Sequence, residues 1–316
     1  MNLPTHVNVR EVGPRDGFQN EPETIATADK IRLIKQLGRS GLKRIEVASF
    51  VRPDVIPQLA DGVEVLRGVN GPDGVRDDVS LMVLVPNSKG LDNALRIRET
   101  FSEVAIFVSA SETHNKKNVN RTITESMADN EIIAKRIVAE ELGCAAVIAT
   151  SFGCPFEGKV PLQRVLDIAE QFATAGAIEV GFGDTTGMAN PAYVEEFFAA
   201  AIDRLPGVEV TAHFHNTRGQ GLANAYAALR AGCTSFESSF GELGGCPVPA
   251  GSTGNIASED LISMFEEMGV STGVELPALI DSARAAQTVL GRKLTSHSIV
   301  AGPIDWTANP DAPSCR

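Results

Sequence analysis

The feature that most narrows the fold is a rhythm along the chain. Eight short β-rich runs recur, each followed by a polar or glycine-containing loop and then a stretch of helical character. The runs cover residues 7–12, 44–48, 80–85, 104–109, 145–150, 177–182, 208–214 and 234–238. Helical patterns lie between them at 29–37, 162–173, 192–205 and 223–231; in the first, Leu33, Ile34 and Leu37 form an apolar stripe. Pro161 and Pro191 stand where the first turn of a helix tolerates proline. Strand–helix units repeated in one direction build a parallel sheet, and eight of them close it into a (β/α)8 TIM barrel. An open doubly wound sheet is the alternative. It usually needs fewer strands, and no Gly-x-Gly-x-x-Gly follows the first run. The expected organisation is one catalytic barrel domain over residues 1–300. A glycine-rich lid loop follows its last strand, and residues 301–316, with Pro303, Pro310 and Pro313, form an extended C-terminal tail.

Bulk properties remove several function classes. A net charge of −12 argues against nonspecific nucleic-acid binding, which needs basic surface to neutralise phosphates. A local basic cluster can still receive a phosphorylated ligand. The five cysteines are odd in number and irregularly spaced, which suits a reducing compartment better than a disulfide framework. Residues 1–9 lack the basic region and apolar run of a signal peptide, and no segment approaches the roughly 18 apolar residues of a membrane span. The expected location is the cytoplasm, with no nucleic-acid or membrane partner.

In a (β/α)8 barrel, reactive groups sit at the C-terminal ends of the strands, so the polar residues there belong together. The first run ends in Gly13-Pro14-Arg15-Asp16-Gly17-Phe18-Gln19-Asn20-Glu21, the second carries Glu46, the sixth leads to Asp184, and the seventh carries His213 and His215. The eighth leads to Cys246 and Asn255. Residues two apart on a strand share a face, with Cα atoms roughly 6.6–7 Å apart, so both imidazoles can reach one ion. Asp16, His213, His215 and Asn255 make a mixed oxygen and nitrogen set suited to Mg2+ or Mn2+, with positions left for substrate oxygens. Asp16 reads alternatively as a turn residue before Gly17. Arg15 is either a partner for a carboxylate such as Glu46 or a cation for a developing enolate oxygen. Glu46 and Asp184 can each be a cap, an arginine partner or a member of a proton relay. Cys246 sits among Gly241, Gly244, Gly245, Gly251 and Gly254, a loop able to move as a lid. A thiol there can deliver a proton once water is excluded, whereas Cys144 and Cys233 fit buried core positions better.

These motifs resemble the 3-hydroxy-3-methylglutaryl-CoA lyase family over nearly the whole chain, from about residue 8 to about 290. The opening Gly-Pro-Arg-Asp-Gly-x-Gln-Asn-Glu and the loop Leu243-Gly244-Gly245-Cys246-Pro247 are the more specific matches. Ile45-Glu46-Val47-Ala48-Ser49-Phe50-Val51, Ser111-Glu112, Lys116-Lys117-Asn118, the 153–159 segment and Gly183-Asp184-Thr185 extend them. The resemblance implies metal ligation by Asp16, His213, His215 and Asn255, enolate stabilisation by Arg15 and protonation by Cys246, with Glu46 and Asp184 supporting the substrate and the relay. It implies a retro-Claisen cleavage of an acyl-CoA thioester: the hydroxyl at carbon 3 loses its proton, the bond to carbon 2 breaks, and a keto acid such as acetoacetate separates from an enolate that becomes acetyl-CoA. Leucine degradation and a homodimer are carried over by analogy. Lys116, Lys117 and Arg121 are candidates for the CoA phosphates.

Departures from the family pattern fall at Thr113-His114-Asn115 and around the second histidine, at Phe214, Asn216 and Arg218. A Phe214 ring turned inward changes the pocket volume, and Arg218 adds a cation that suits a second carboxylate. Citramalyl-CoA is therefore the alternative substrate. A Claisen-condensing synthase fits less well because such enzymes normally carry an additional C-terminal region, a 2-oxo acid aldolase because of the Cys246 loop, and a non-catalytic barrel binding metal or CoA because Arg15, Asp16 and Cys246 are intact.

Overall fold

The computed structural model describes residues 3–71, 73–245 and 254–307. Eight parallel strands, β1 Asn8–Glu11, β2 Arg44–Ser49, β3 Ser80–Leu84, β4 Glu103–Ser109, β5 Gly143–Ala149, β6 Glu179–Asp184, β7 Glu209–Phe214 and β8 Ser235–Ser238, pair in sequence order. β8 returns to β1, with Asn8 opposite Ser235 and Glu11 opposite Ser238, so the sheet closes. The barrel is the expected one, and each strand lies within two residues of its β-rich run.

Around it lie α1 Thr27–Arg39, α2 Gly62–Val69, α3 Ser88–Ala94, α4 Glu112–Val119, α5 Ile123–Ala139, α6 Leu162–Thr174, α7 Pro191–Arg204, α8 Gly221–Arg230, α9 Ser258–Glu267, α10 Leu276–Leu290 and α11 His297–Ala301. Their starts follow local chemistry. Thr122 and Glu125 form a reciprocal capping box at α5. Asn190 caps α7 with Pro191 in its first turn, while Pro161 stands one residue ahead of α6. Leu33, Ile34 and Leu37 of α1 are buried against the sheet. Between β6, β7 and α7 the packing is aromatic. Phe152, Phe182, Phe197, Phe198 and Phe214 interlock, Phe152 and Phe197 at 4.5 Å between ring centroids. Cys144 and Cys233 are buried, as expected of core thiols.

The barrel interior departs from the usual branched aliphatic filling of this fold. Met82, Leu84, Ala105 and Ala145 form a small apolar cluster. Below it, toward the N-terminal ends of the strands, the axis is ionic. Arg10 donates to Glu179 through both terminal nitrogens at 2.6 Å, to Glu103 at 2.8 Å and to Glu237 at 3.0 Å. Arg44 joins Glu179, Glu103 (3.0 Å) and Glu209 (2.7 Å). Thr211 donates to Glu179 at 2.7 Å. Charges this deep persist only when each finds a partner, and here β1, β2, β4, β6, β7 and β8 all contribute one. Past the barrel, Trp306 Nε1 donates to Glu267 of α9 at 3.0 Å. No helix among the described residues is long and apolar enough to cross a membrane.

Candidate active site

Beyond β1 the chain makes one turn of π-helix, Gly13–Gly17, a wide turn common at functional sites. It is pinned from below by the buried Glu11, which accepts from Gly13 N (2.7 Å), Phe240 N (3.0 Å) and Ser258 Oγ (2.6 Å). One carboxylate thus ties the turn after β1 to the loop after β8 and to α9. Gly13 has no room for a side chain, since an added Cβ would lie 2.5 Å from the Phe240 ring.

This turn presents Arg15 and Asp16. Asp16 Oδ1 accepts from Gln19 Nε2 (2.8 Å) and Arg15 Nη1 (3.1 Å), and Oδ2 from Asn255 Nδ2 (2.7 Å). Burial opposes its ionisation, but Arg15, the two histidines and the Asn255 hydrogen bond hold its carboxyl below the usual range. Arg15 Nη2 lies 2.7 Å from Glu46 Oε2. Glu46 is 1% exposed, and burial, only partly offset by Arg15, pushes its carboxyl up.

Strand alternation sends His213 and His215 inward and Phe214 outward. The two imidazole centroids are 5.2 Å apart. One potential ligand atom from each of Asp16, His213 and His215 falls within 4.8 Å of the others. Asn255 bridges to the backbone of His215, and its Oδ1 is buried without a hydrogen-bond donor among the described residues. A buried amide oxygen left without a donor is costly in a closed core. Beside a carboxylate and two imidazoles it completes a donor set that fits a hard or borderline divalent cation.

His213 Nδ1 sits 2.9 Å from Glu237 Oε2 on the neighbouring strand. Burial alone would raise the Glu237 carboxyl, but His213 and Arg10 draw it down to about 2. At the end of β6, Asp184 Oδ1 accepts from Met188 N (2.7 Å) and Ala189 N (3.1 Å), while Oδ2 is buried without a donor among the described residues. Burial outweighs those hydrogen bonds and lifts the group to about 7.

Two expectations change. Phe214 does not turn into the pocket; its ring is fully buried in the aromatic layer, 5.7 Å from Phe152 and 6.1 Å from Phe198. Arg218 is not a loose extra cation, because Nη1 donates to the carbonyls of Thr186 (3.0 Å) and Gly187 (2.6 Å) and ties the β7 loop to the β6 loop. Asn216 is likewise engaged, donating to Glu242 Oε1 at 2.6 Å. Of the proposed CoA-phosphate cations, Arg121 pairs with Asp129 at 2.7 Å, Lys116 lies 3.5 Å from Glu112, and Lys117 sits over the Phe156 ring at 5.0 Å. Next to the two lysines on α4, Asn115 is a staple: its Oδ1 accepts from Ser109 N and its Nδ2 donates to Arg121 O, Thr122 O and Ser126 Oγ.

Cys246 lies outside the described residues, as do the other residues from 247 to 253. Its base is described. The turn Phe240–Glu242 is held by Glu11 at Phe240 N and by buried Glu259 at Gly241 N (2.9 Å). Gly244, with φ +111°, passes so close that a Cβ would meet Asn255 Nδ2 at 2.7 Å. Glu11, Gln19, Glu237 and Glu259 were not singled out from sequence. Gln19 alone carried a signal, three residues beyond Asp16 in the opening motif.

A closed parallel barrel with an acid, two imidazoles, an amide oxygen and an arginine gathered at its C-terminal mouth defines a barrel enzyme with a candidate metal site. The chain belongs to the HMGL-like family, whose model matches residues 6–286. It is 43% identical over 299 residues to a hydroxymethylglutaryl-CoA lyase of Bacillus subtilis, covering 95% of this chain and 98% of that protein. It is also 40% identical over 305 residues to an (R)-citramalyl-CoA lyase of Chloroflexus aurantiacus, covering 94% and 95%. An HMG-CoA lyase of Acinetobacter baumannii, solved in complex with coenzyme A and 3-methylmalate, superposes with a TM-score of 0.89 at 38% identity over 100% of both chains.

Proposed function

We propose that this protein is a divalent-metal-dependent lyase that cleaves 3-hydroxy-3-methylglutaryl-CoA into acetyl-CoA and acetoacetate. The observation that carries the proposal is the convergence of Asp16, His213, His215 and the donorless Asn255 Oδ1 beside Arg15, in a family that includes hydroxymethylglutaryl-CoA lyases. Mg2+ or Mn2+ held by those four residues would supply Lewis acidity to the substrate's hydroxyl and carboxylate end and orient it. The chain's own groups do the rest. Asp184, with an open oxygen and a carboxyl near neutrality, is suited to take the proton from the carbon-3 hydroxyl. The bond between carbons 2 and 3 breaks, its electron pair passing into the thioester enolate. Arg15, held by Glu46 and Asp16, stabilises the negative enolate oxygen. Cys246 gives a proton to carbon 2, releasing acetyl-CoA.

The 1–300 barrel is the catalytic domain in this proposal, with 301–316 as an appendage. A homodimer, a cytoplasmic location and a place in leucine degradation accompany it. The acyl-CoA substrate is supported by the coenzyme A in the Acinetobacter relative. Citramalyl-CoA is the second reading, favoured by the Chloroflexus relative. Assaying acetyl-CoA release from both thioesters, with Mg2+ or Mn2+ present, tests the proposal. A higher kcat/KM for 3-hydroxy-3-methylglutaryl-CoA is expected, and cleavage of neither overturns it.

A further inference from the structure

The ionic column along the barrel axis ends at the candidate metal site. Arg10 is 1% exposed and bridges Glu179 and Glu103 to Glu237. Glu237 uses its two oxygens separately: Oε1 accepts from Arg10 Nη1 at 3.0 Å, and Oε2 faces His213 Nδ1 at 2.9 Å. Both of its oxygens are engaged by side chains of the barrel itself, and its charge also bears on Arg15 and Glu46. Its position on β8, level with His213 on β7, is fixed by the register of the two strands.

An imidazole offers a cation one lone pair, and the hydrogen bond at its other nitrogen decides which one. We propose that Glu237 is a positioning residue for the metal: it holds His213 with the proton on Nδ1, reserving Nε2 for the cation, and Arg10 fixes Glu237 in turn. Arg10 prevents the carboxylate from rotating away, because it is itself clamped by both oxygens of Glu179. Replacing Glu237 with glutamine leaves Arg10 with Glu179 and Glu103 as partners, so the column survives the change. The inference rests on the metal site proposed above, and its tests separate the two.

Mn2+ affinity is measured by calorimetry in wild type, Glu237→Gln, Glu237→Asp and Asp16→Ala, with circular dichroism and Tm recorded for each. Wild type is expected to bind one Mn2+ per chain and Asp16→Ala to lose it; equal binding by these two overturns the metal site itself. Glu237→Gln is expected to bind roughly 10–100-fold more weakly, the usual effect of losing such a partner, and Glu237→Asp to recover part of that loss. If Glu237→Gln keeps wild-type affinity while Asp16→Ala loses the metal, the positioning role is refuted and the metal site stands. A second measurement reads the wild-type protein itself. Long-range 1H–15N spectra of 15N-histidine-labelled wild-type protein, without metal and with Mg2+, report the His213 tautomer, assigned by its absence in His213→Asn. A protonated Nδ1 in both states is expected, and a protonated Nε2 overturns the proposal whatever the variants do.

Discussion

Asn255 and Asp16, 239 positions apart, meet across the barrel mouth with the asparagine amide donating to the carboxylate at 2.7 Å. The same amide nitrogen is 3.2 Å from the Leu243 carbonyl. Both contacts use the nitrogen and leave Oδ1 buried without a donor among the described residues. Alanine at 255 would remove this oxygen and also release Asp16 Oδ2. Asn255→Ala is therefore expected to weaken Mn2+ binding and turnover together. Chelation should abolish turnover, and Mg2+ or Mn2+ should restore it. Activity retained by thoroughly metal-free protein contradicts the assignment.

Arg15 has two carboxylate partners. Arg15→Gln is expected to lower kcat by about 10²–10³, the range for loss of an oxyanion donor, with thioester affinity changing far less. It also leaves Glu46 buried without its cation, so the Tm should fall. Weaker binding at an unchanged kcat would make Arg15 a binding residue only.

Cys246→Ser should keep fold and metal yet lose most turnover, because a serine hydroxyl is a much poorer proton donor than a thiol. Alkylation should inactivate, with substrate protecting. Peptide mapping that finds the label elsewhere in inactivated protein, with Cys246 unmodified, contradicts the acid role.

Phe214 belongs to the aromatic layer, so its truncation acts on stability. Phe214→Ala should cost about 3–5 kcal/mol in urea unfolding, as large-to-small core changes do. The ratio of kcat/KM for the two candidate thioesters should not move. A changed ratio with intact stability would return Phe214 to the pocket.

Glu259 yields a pH prediction. Burial, with Asp260 adding to it, outweighs the hydrogen bonds it receives and lifts its carboxyl from 4.5 to about 8. The folded state holds this proton where the unfolded chain has lost it. Its contribution is thus complete below pH 4.5 and lost as pH rises through about 8, by up to about 1.4 kcal/mol per unit. Unfolding free energies of Glu259→Gln between pH 5 and 8 should fall less steeply than those of wild type. Parallel slopes would rule out a buried protonated Glu259.

The strands were legible because a parallel barrel buries both faces of its sheet, so runs such as Ser80–Leu84 read as continuous apolar segments. The mouth residues were legible because their motifs end those strands. The ionic column was not. Glu103, Glu179 and Glu209 each open a strand, where an acid looks like an ordinary loop residue, and Glu237 lies between Phe236 and Ser238 as if on a solvent face. Only closure brings them to one axis. Phe214 could have been placed from sequence, since the alternation that pairs His213 with His215 sends the residue between them to the opposite face.

Closure through β1 and β8 also sets an order of events during synthesis. A nascent chain that has emerged through His215 carries Asp16 and both imidazoles, but has neither the strand that seals against β1 nor Asn255. Glu237, which holds His213 from the side, arrives with that same last strand. In the proposed metal site, the ribosome must therefore release nearly the whole barrel before all four ligands are present, and metal capture would report on completion of the fold rather than seed it.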